Sequence, residues 1–342
     1  MVALRHAETA LEAVDLIKTY SAGRNKPPVR ALRGLSFRAA PGTVFGLLGP
    51  NGAGKSTTVK ILSTLAAADS GSARVAGIDV AAEPDRVRRA IGVVAQRPGT
   101  DPMATAAENL LLAGRIHGMS RRDATARAGE LVDRFGLTGA AHRPVRTYSG
   151  GMARKLDVAL GLVHRPQVLF LDEPTTGLDP QARSEMWHEI ATLAADERMT
   201  VLLTTHYLDE ADRLADRIAI VAHGIVVASG TPDELKSDLR GDAVLVELAE
   251  ADPRARAVLE RVPVLRDVTM DGATVRGRTD DGARALPAVL AALEEAGFAV
   301  ASATLARPSL DDVYLRHAGR CFDAAGEGAE GPAATRTLEA AK

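Results

Sequence analysis

Eight residues limit what this chain can fold into more than any other stretch: Gly49-Pro50-Asn51-Gly52-Ala53-Gly54-Lys55-Ser56. They follow a short apolar run, residues 44–48, and lead into a helical pattern over residues 56–65. A strand that opens into a glycine-rich turn and then a helix directs consecutive backbone N–H groups inward, making a nest for an anion. The helix aims the positive end of its dipole at the same anion. That arrangement suits phosphate. Lys55 is spaced to reach β- and γ-phosphates and the Ser56 hydroxyl to ligate Mg²⁺, with Thr57 next in line. Alone, the loop does not separate a kinase, a GTPase and an ATPase.

Residues 91–95, 168–171, 201–204 and 218–221 are further short apolar runs, the kind that suits strands buried on both faces. Strands alternate with helical patterns from about residue 11 to residue 240, which predicts an α/β fold with a mostly parallel sheet. Ligands of such sheets bind beyond the carboxyl ends of the strands. The polar residues there are therefore candidates. Gln96 follows one run, Asp172 and Glu173 the next, and His206 a third. Asp172 suits the carboxylate that holds Mg²⁺, and Glu173, turned by Pro174, the base for an attacking water. A salt-bridged strand end would also explain the acidic pair, and a plain loop position would explain His206. Their joint placement favours a site.

The chain is expected to divide into residues 1–239, residues 240–318 and residues 319–342. Residues 97–165 form a helical lobe within the first part, where Leu110, Leu111, Leu112, Ile116, Leu131, Val132 and Phe135 recur without strand signals. The second part reads as a small α+β domain that ends in a helix over residues 309–317, with Leu310, Val313 and Tyr314 on one face. That face packs on its own domain or contacts a second subunit. The last part, rich in Ala, Gly and Glu, reads as a disordered tail. A net charge of −2 gives no electrostatic reason to expect nucleic acid. The lone Cys321 rules out an intrachain disulfide. No run approaches the ~18 apolar residues of a membrane helix, so work at a membrane would need another polypeptide to span it.

Tyr148-Ser149-Gly150-Gly151-Met152, just before a helical run over residues 153–163, completes the pattern. With it, residues 11–239 resemble an ATP-binding cassette (ABC) ATPase. The eight-residue loop resembles the family's Walker A, Gln96 its Q-loop glutamine, residues 168–173 its Walker B, Gly177-Leu178-Asp179 its D-loop and His206 its switch histidine. Tyr20 sits where the family stacks an aromatic on adenine. The family signature is commonly Leu-Ser-Gly-Gly-Gln; here Tyr148 and Met152 replace its outer residues around an intact Ser149-Gly150-Gly151.

The resemblance implies a P-loop NTPase fold of ABC type with a helical subdomain and a small α+β C-terminal domain. It also implies Mg-ATP hydrolysis with Glu173, His206 and Gln96 in catalytic roles, and Gln96 as a metal ligand with Ser56 and Asp172. Further implications are a head-to-tail homodimer with ATP between the copies, a membrane-spanning permease on a separate chain, and a place on the cytoplasmic face of the cell membrane. Within the family, His206-Tyr207-Leu208-Asp209-Glu210, Gly230-Thr231-Pro232-Asp233-Glu234-Leu235 and residues 308–314 resemble the ATPase subunits of daunorubicin-resistance-type exporters. Those move drugs, lipids or polyketides. An importer motor would carry nearly the same cassette. An ABC ATPase without a transporter would carry two cassettes, long coiled coils or zinc motifs, whereas this sequence has one cassette, no sustained heptads and a single cysteine.

Overall fold

A computed structural model of the protein describes residues 9–21, 27–239, 241–306 and 308–318. The tail expected from Gly319, with Cys321, lies outside the described residues. The chain divides into two compact units, the first running to Pro232 and the second beginning at Asp233.

In the first unit β1 (Leu11–Tyr20) and β2 (Val29–Ala39) pair antiparallel, ahead of β3 (Val44–Leu48) and α1 (Lys55–Leu62). β4 (Ser70–Val75), β5 (Ile78–Asp79), α2 (Pro84–Ala90) and β6 (Ile91–Val94) follow. The chain then builds α3 (Ala106–Ile116), α4 (Arg121–Arg134) and α5 (Gly150–Leu162). It closes with β7 (Val168–Asp172), α6 (Pro180–Glu197), β8 (Thr200–Thr205), α7 (Leu208–Leu214), β9 (Arg217–Ala222) and β10 (Ile225–Gly230).

Among the described residues of this unit there are two sheets. The larger runs in the order β10-β9-β3-β8-β7-β6, parallel from β9 to β6 with β10 antiparallel at one edge. The smaller is antiparallel, in the order β2-β1-β4-β5. Every residue of β3 and β8 is buried, because core covers both faces of the larger sheet. Leu169, Leu171 and Leu203 pack into one core with Leu110, Phe135, Leu162 and Ile190, whereas Phe170 and Leu202 pack into another with Phe45, Leu47 and Leu62. Successive strand residues point to opposite faces, so one apolar run serves both cores. The register pairs Leu48 with Thr205, Asp172 with Thr204 and Val94 with Leu171. Carboxyl ends of four neighbouring strands therefore finish side by side.

Local signals set the helix ends. Thr105 and Glu108 close a capping box on α3, Ser120 caps α4, and Ser149 caps α5. The α1 helix stops at Leu62, short of the residue 65 expected from its pattern. Thr64 adopts φ 65°, and the amides of Leu65 and Ala66 both turn back to the Lys60 carbonyl, closing the end.

In the second unit α8 (Pro232–Ser237) leads into β11 (Asp242–Leu248), α9 (Arg254–Leu259), β12 (Arg266–Asp271), β13 (Thr274–Thr279), α10 (Gly282–Glu295), β14 (Val300–Ala306) and α11 (Leu310–Ala318). The sheet order β12-β13-β11-β14, with every neighbour antiparallel, is the split βαβ of ferredoxin-like domains. Val244, Val246 and Val275 meet Leu259, Val289 and Leu293 in its core. Arg278 donates to the carbonyls of Leu239 and Gly241, which ties the end of α8 to the small sheet. The unit begins at Asp233, ahead of residue 240, where the sequence reading divides the chain. Leu310, Val313 and Tyr314 on α11 are all buried within the chain, and Asp312 beside them pairs with Arg276 and Arg278 of β13.

Candidate active site

The loop between β3 and α1 turns where glycine is required. Gly54 has φ 114°, and a Cβ there would sit 2.7 Å from Leu32 Cδ2 and 2.9 Å from the Ala31 carbonyl oxygen. A side chain would break both the turn and its packing on β2. The loop residues Pro50, Asn51, Gly52, Gly54, Lys55, Ser56 and Thr57 line a cleft of about 540 Å³ together with Tyr20, Gln96 and Glu173. Gly49 and Ala53 belong to the loop behind it, where Gly49 O accepts a hydrogen bond from Lys55 Nζ at 2.6 Å and Ala53 is buried. Tyr20 ends β1 opposite Val29, is 37% exposed and borders the cleft, with Lys18 Nζ 5.6 Å from its ring centroid, so it is a candidate to stack on a planar ligand.

Strand ends bring the polar candidates to the same cleft. Ser56 Oγ donates to Asp172 Oδ1 at 3.2 Å, and Thr204 Oγ1 donates to the same oxygen at 2.5 Å. A hydroxyl beside a carboxylate is the hard-oxygen donor set that Mg²⁺ takes, so these residues fit that ion. Gln96 Nε2 donates to Glu173 Oε2 at 3.3 Å, and Thr176 Oγ1 donates to that oxygen at 3.4 Å. The other carboxylate oxygen lies 3.6 Å from Lys55 Nζ and 3.3 Å from His206 Nδ1. Burial pushes the Glu173 carboxyl up, but the His206 contact and the Lys55 charge outweigh it and hold the group below its usual range. Lys55 is pulled below its ordinary value by burial, against the opposing pull of Glu173 and Asp172. Glu173 itself adopts φ 50°, a left-handed conformation that side chains other than glycine seldom take. Its amide donates to the carbonyl and hydroxyl oxygens of Thr204, which fix the kink.

Ser149, Gly150 and Gly151 do not line this cleft. They open α5, with Ser149 and Gly150 exposed and the Ser149 hydroxyl accepting from Met152 N at 3.2 Å. The residues that depart from the common signature face inward: Tyr148 and Met152 pack on the core of the lobe, and Tyr148 donates to the Ala140 carbonyl. Asp179 caps α6 through Ala182 N. Sequence reasoning missed the part played by Thr204, whose hydroxyl joins Asp172 to Glu173; a threonine ending an apolar run two residues before His206 was the signal available. It also missed Arg154, which is buried, and it read Glu210 only as part of the His206–Glu210 motif, without the buried hydrogen bonds that Glu210 accepts.

Comparison with known proteins fits this geometry. Residues 32–176 match the family model described as ABC transporter, and residues 230–318 match that of the ATP-binding protein DrrA1-3-like C-terminal domain. The chain is 46% identical over 321 residues to the daunorubicin/doxorubicin resistance ATP-binding protein DrrA of Streptomyces peucetius, covering 92% of this chain and 94% of that one. The chain belongs to the ABC transporter ATP-binding proteins. This ABC protein is also 37% identical to Nod factor export ATP-binding protein I of Rhizobium etli, over 91% of its own length and 94% of the relative's. Among solved structures, a dimeric post-hydrolysis state of the ATP-binding cassette MJ0796, bound to ADP and Pi, superposes with TM-score 0.58. That alignment is 26% identical and covers 65% of this chain and 98% of the other. The ABC protein is thus an ATPase with a P-loop fold, and its second unit is of the DrrA type. Among the described residues, no helix is long and apolar enough to cross a membrane.

Proposed function

We propose that this ATPase powers an exporter of drug-like, lipid or polyketide-like molecules, working as a head-to-tail homodimer beneath a separate permease on the cytoplasmic face of the membrane. The observation that carries the dimer is the incomplete cleft. One copy supplies loop, base and metal ligands, while its Ser149–Gly150–Gly151 turn, an exposed helix start fit for phosphate, stands outside. A second copy turned end to end would present that turn to the γ-phosphate of the first.

In this reading the loop amides and Lys55 bind the phosphates, Lys55 exchanging the Gly49 and Pro50 carbonyls for phosphate oxygens. Tyr20 stacks on the base. Ser56 and Asp172, with Gln96 beside them, would hold Mg²⁺, which would supply positive charge against the phosphates. Glu173 accepts the proton of the attacking water, and His206 orients Glu173 from its other side. Release of phosphate then opens the pair.

A groove of about 550 Å³ begins where the catalytic residues end, lined by Ala95, Arg97, Leu65, Leu112, Ile116 and neighbouring residues. Leu65, Leu112 and Ile116 are 71%, 59% and 74% exposed. An apolar groove next to Gln96 suits a short helix of the permease, which would feel the site open and close. The relatives named for drug resistance and Nod factor export support an exporter. Everted membrane vesicles containing this chain and its permease test the direction. ATP should drive an amphipathic drug into them, and Glu173→Gln should stop it. Uptake confined to right-side-out vesicles would mark an importer instead.

A further inference from the structure

The α5 helix carries a guanidinium that reaches back into the catalytic segments. Arg154 lies five residues beyond the Ser149 cap, about 7.5 Å along the helix, and only 8% of it is exposed. Its Nε donates to the Pro174 carbonyl at 2.7 Å, and its Nη1 to the Ala95 carbonyl at 2.7 Å. Its Nη2 donates to the carbonyls of Asp172 and Glu173 at 3.2 and 3.3 Å. One planar fork therefore grips two separate segments, the residue before Gln96 and the turn that bears Asp172 and Glu173. A turn later on the same helix, Asp157 Oδ1 accepts from Gly99 N at 3.0 Å, and its other oxygen lies 3.9 Å from Arg154.

This grip falls where the backbone is least able to hold itself. Glu173 is in a left-handed conformation that residues other than glycine seldom take. Thr204 holds its amide and Arg154 its carbonyl. The direction of the Glu173 side chain thus depends on a residue of the helix whose N-terminus would meet the neighbouring copy in the proposed dimer. Only arginine supplies donors in a rigid fork that can serve several carbonyls at once; a lysine ammonium is a single point.

We propose that Arg154 is a positioning residue for hydrolysis, a strut through which the seating of phosphate at the start of α5 sets the aim of Glu173 and Gln96. The proposal rests on the reading of Glu173 as the base. In physical terms α5 is the movable element, and the Arg154 fork makes the two catalytic segments move with it.

Single-turnover ATP hydrolysis by the full chain, alongside nucleotide affinity, tests it. Arg154→Ala is expected to slow hydrolysis by about 30-fold and Arg154→Lys by about tenfold, each with ATP affinity within about threefold of the parent. The loss should nearly vanish when Glu173 is already Gln: in that background either Arg154 variant should change the residual rate by less than about twofold. If Arg154→Ala does not fold, Arg154→Lys, which keeps the charge and the stem, carries the same cycle. Losses that multiply unchanged in the Glu173→Gln background, or hydrolysis at the parental rate in Arg154→Lys, would overturn the proposal. Glu173→Gln alone checks the underlying reading: a parental rate there would refute Glu173 as base, whatever Arg154 does.

Discussion

Glu210 shows how much of this site is held from behind. It is fully buried, four residues past His206, and its Oε1 accepts from Thr175 Oγ1 at 2.8 Å and from Trp187 Nε1 at 3.0 Å. One carboxyl thereby joins the His206 loop to the turn after Glu173. Burial raises its pKa above the ordinary 4.5, against the hydrogen bonds from Thr205, Thr175 and Trp187. The folded chain keeps a proton here that the unfolded chain gives up. Stability from this group is therefore full below the unfolded value and falls as the pH rises through the folded one. Glu210→Gln keeps the acceptor oxygen and removes the ionisation. Melting temperatures taken between about pH 4 and 8 should fall less steeply with pH for the variant than for the parent. Parallel profiles would show that Glu210 does not titrate this way. Glu210 stood in the sequence as part of the His206–Glu210 motif, but its role was not legible there, because it lies in side chains that cross between elements. Asp172, Glu173 and His206 were legible, because each stands at the end of an apolar run.

At the scale of elements, the two glycines that open α5 have separable duties. A Cβ on Gly151 would come within 2.9 Å of the Ala182 Cβ on α6, whereas one on Gly150 would meet only Leu178 Cδ2, at 3.9 Å. Gly151 is a packing requirement and Gly150 is an open one. Gly151→Ala should therefore destabilise the fold by about 1–3 kcal/mol, as overpacking does. Gly150→Ala should leave the melting temperature unchanged or raised, because alanine favours a helix by ~1 kcal/mol over glycine. Its methyl group should nonetheless slow hydrolysis by crowding the phosphate of the neighbouring copy. Thermal melts and steady-state ATPase rates on both variants separate the two effects, and equal melting temperatures would refute the assignment. The parallel strands were legible because sheets covered on both faces need unbroken apolar runs. The end of α1 was not, since Leu65 continues its apolar pattern while Thr64 turns the backbone away.

For the whole molecule, the sequence pattern reached the cassette, the lobe and the small C-terminal domain, but not the start of the second unit. The sequence reading divides the chain at residue 240, whereas the second unit begins at Asp233 and takes in the helix α8, which precedes its first strand. The buried face of α11 bears on assembly as well. With Leu310, Val313 and Tyr314 covered within the chain, those side chains are not an open surface for a second copy. In the proposed dimer the weight of association would then fall on ATP and the Ser149–Gly150–Gly151 turn. Light scattering on size-separated Glu173→Gln protein measures this directly, since the variant binds ATP but lacks the base that would discharge it. The account predicts a monomer with ADP, a species of twice that mass with Mg-ATP, and a return to monomer when Ser149 is also replaced by Arg. A Glu173→Gln chain that binds ATP and stays monomeric at saturation would contradict it.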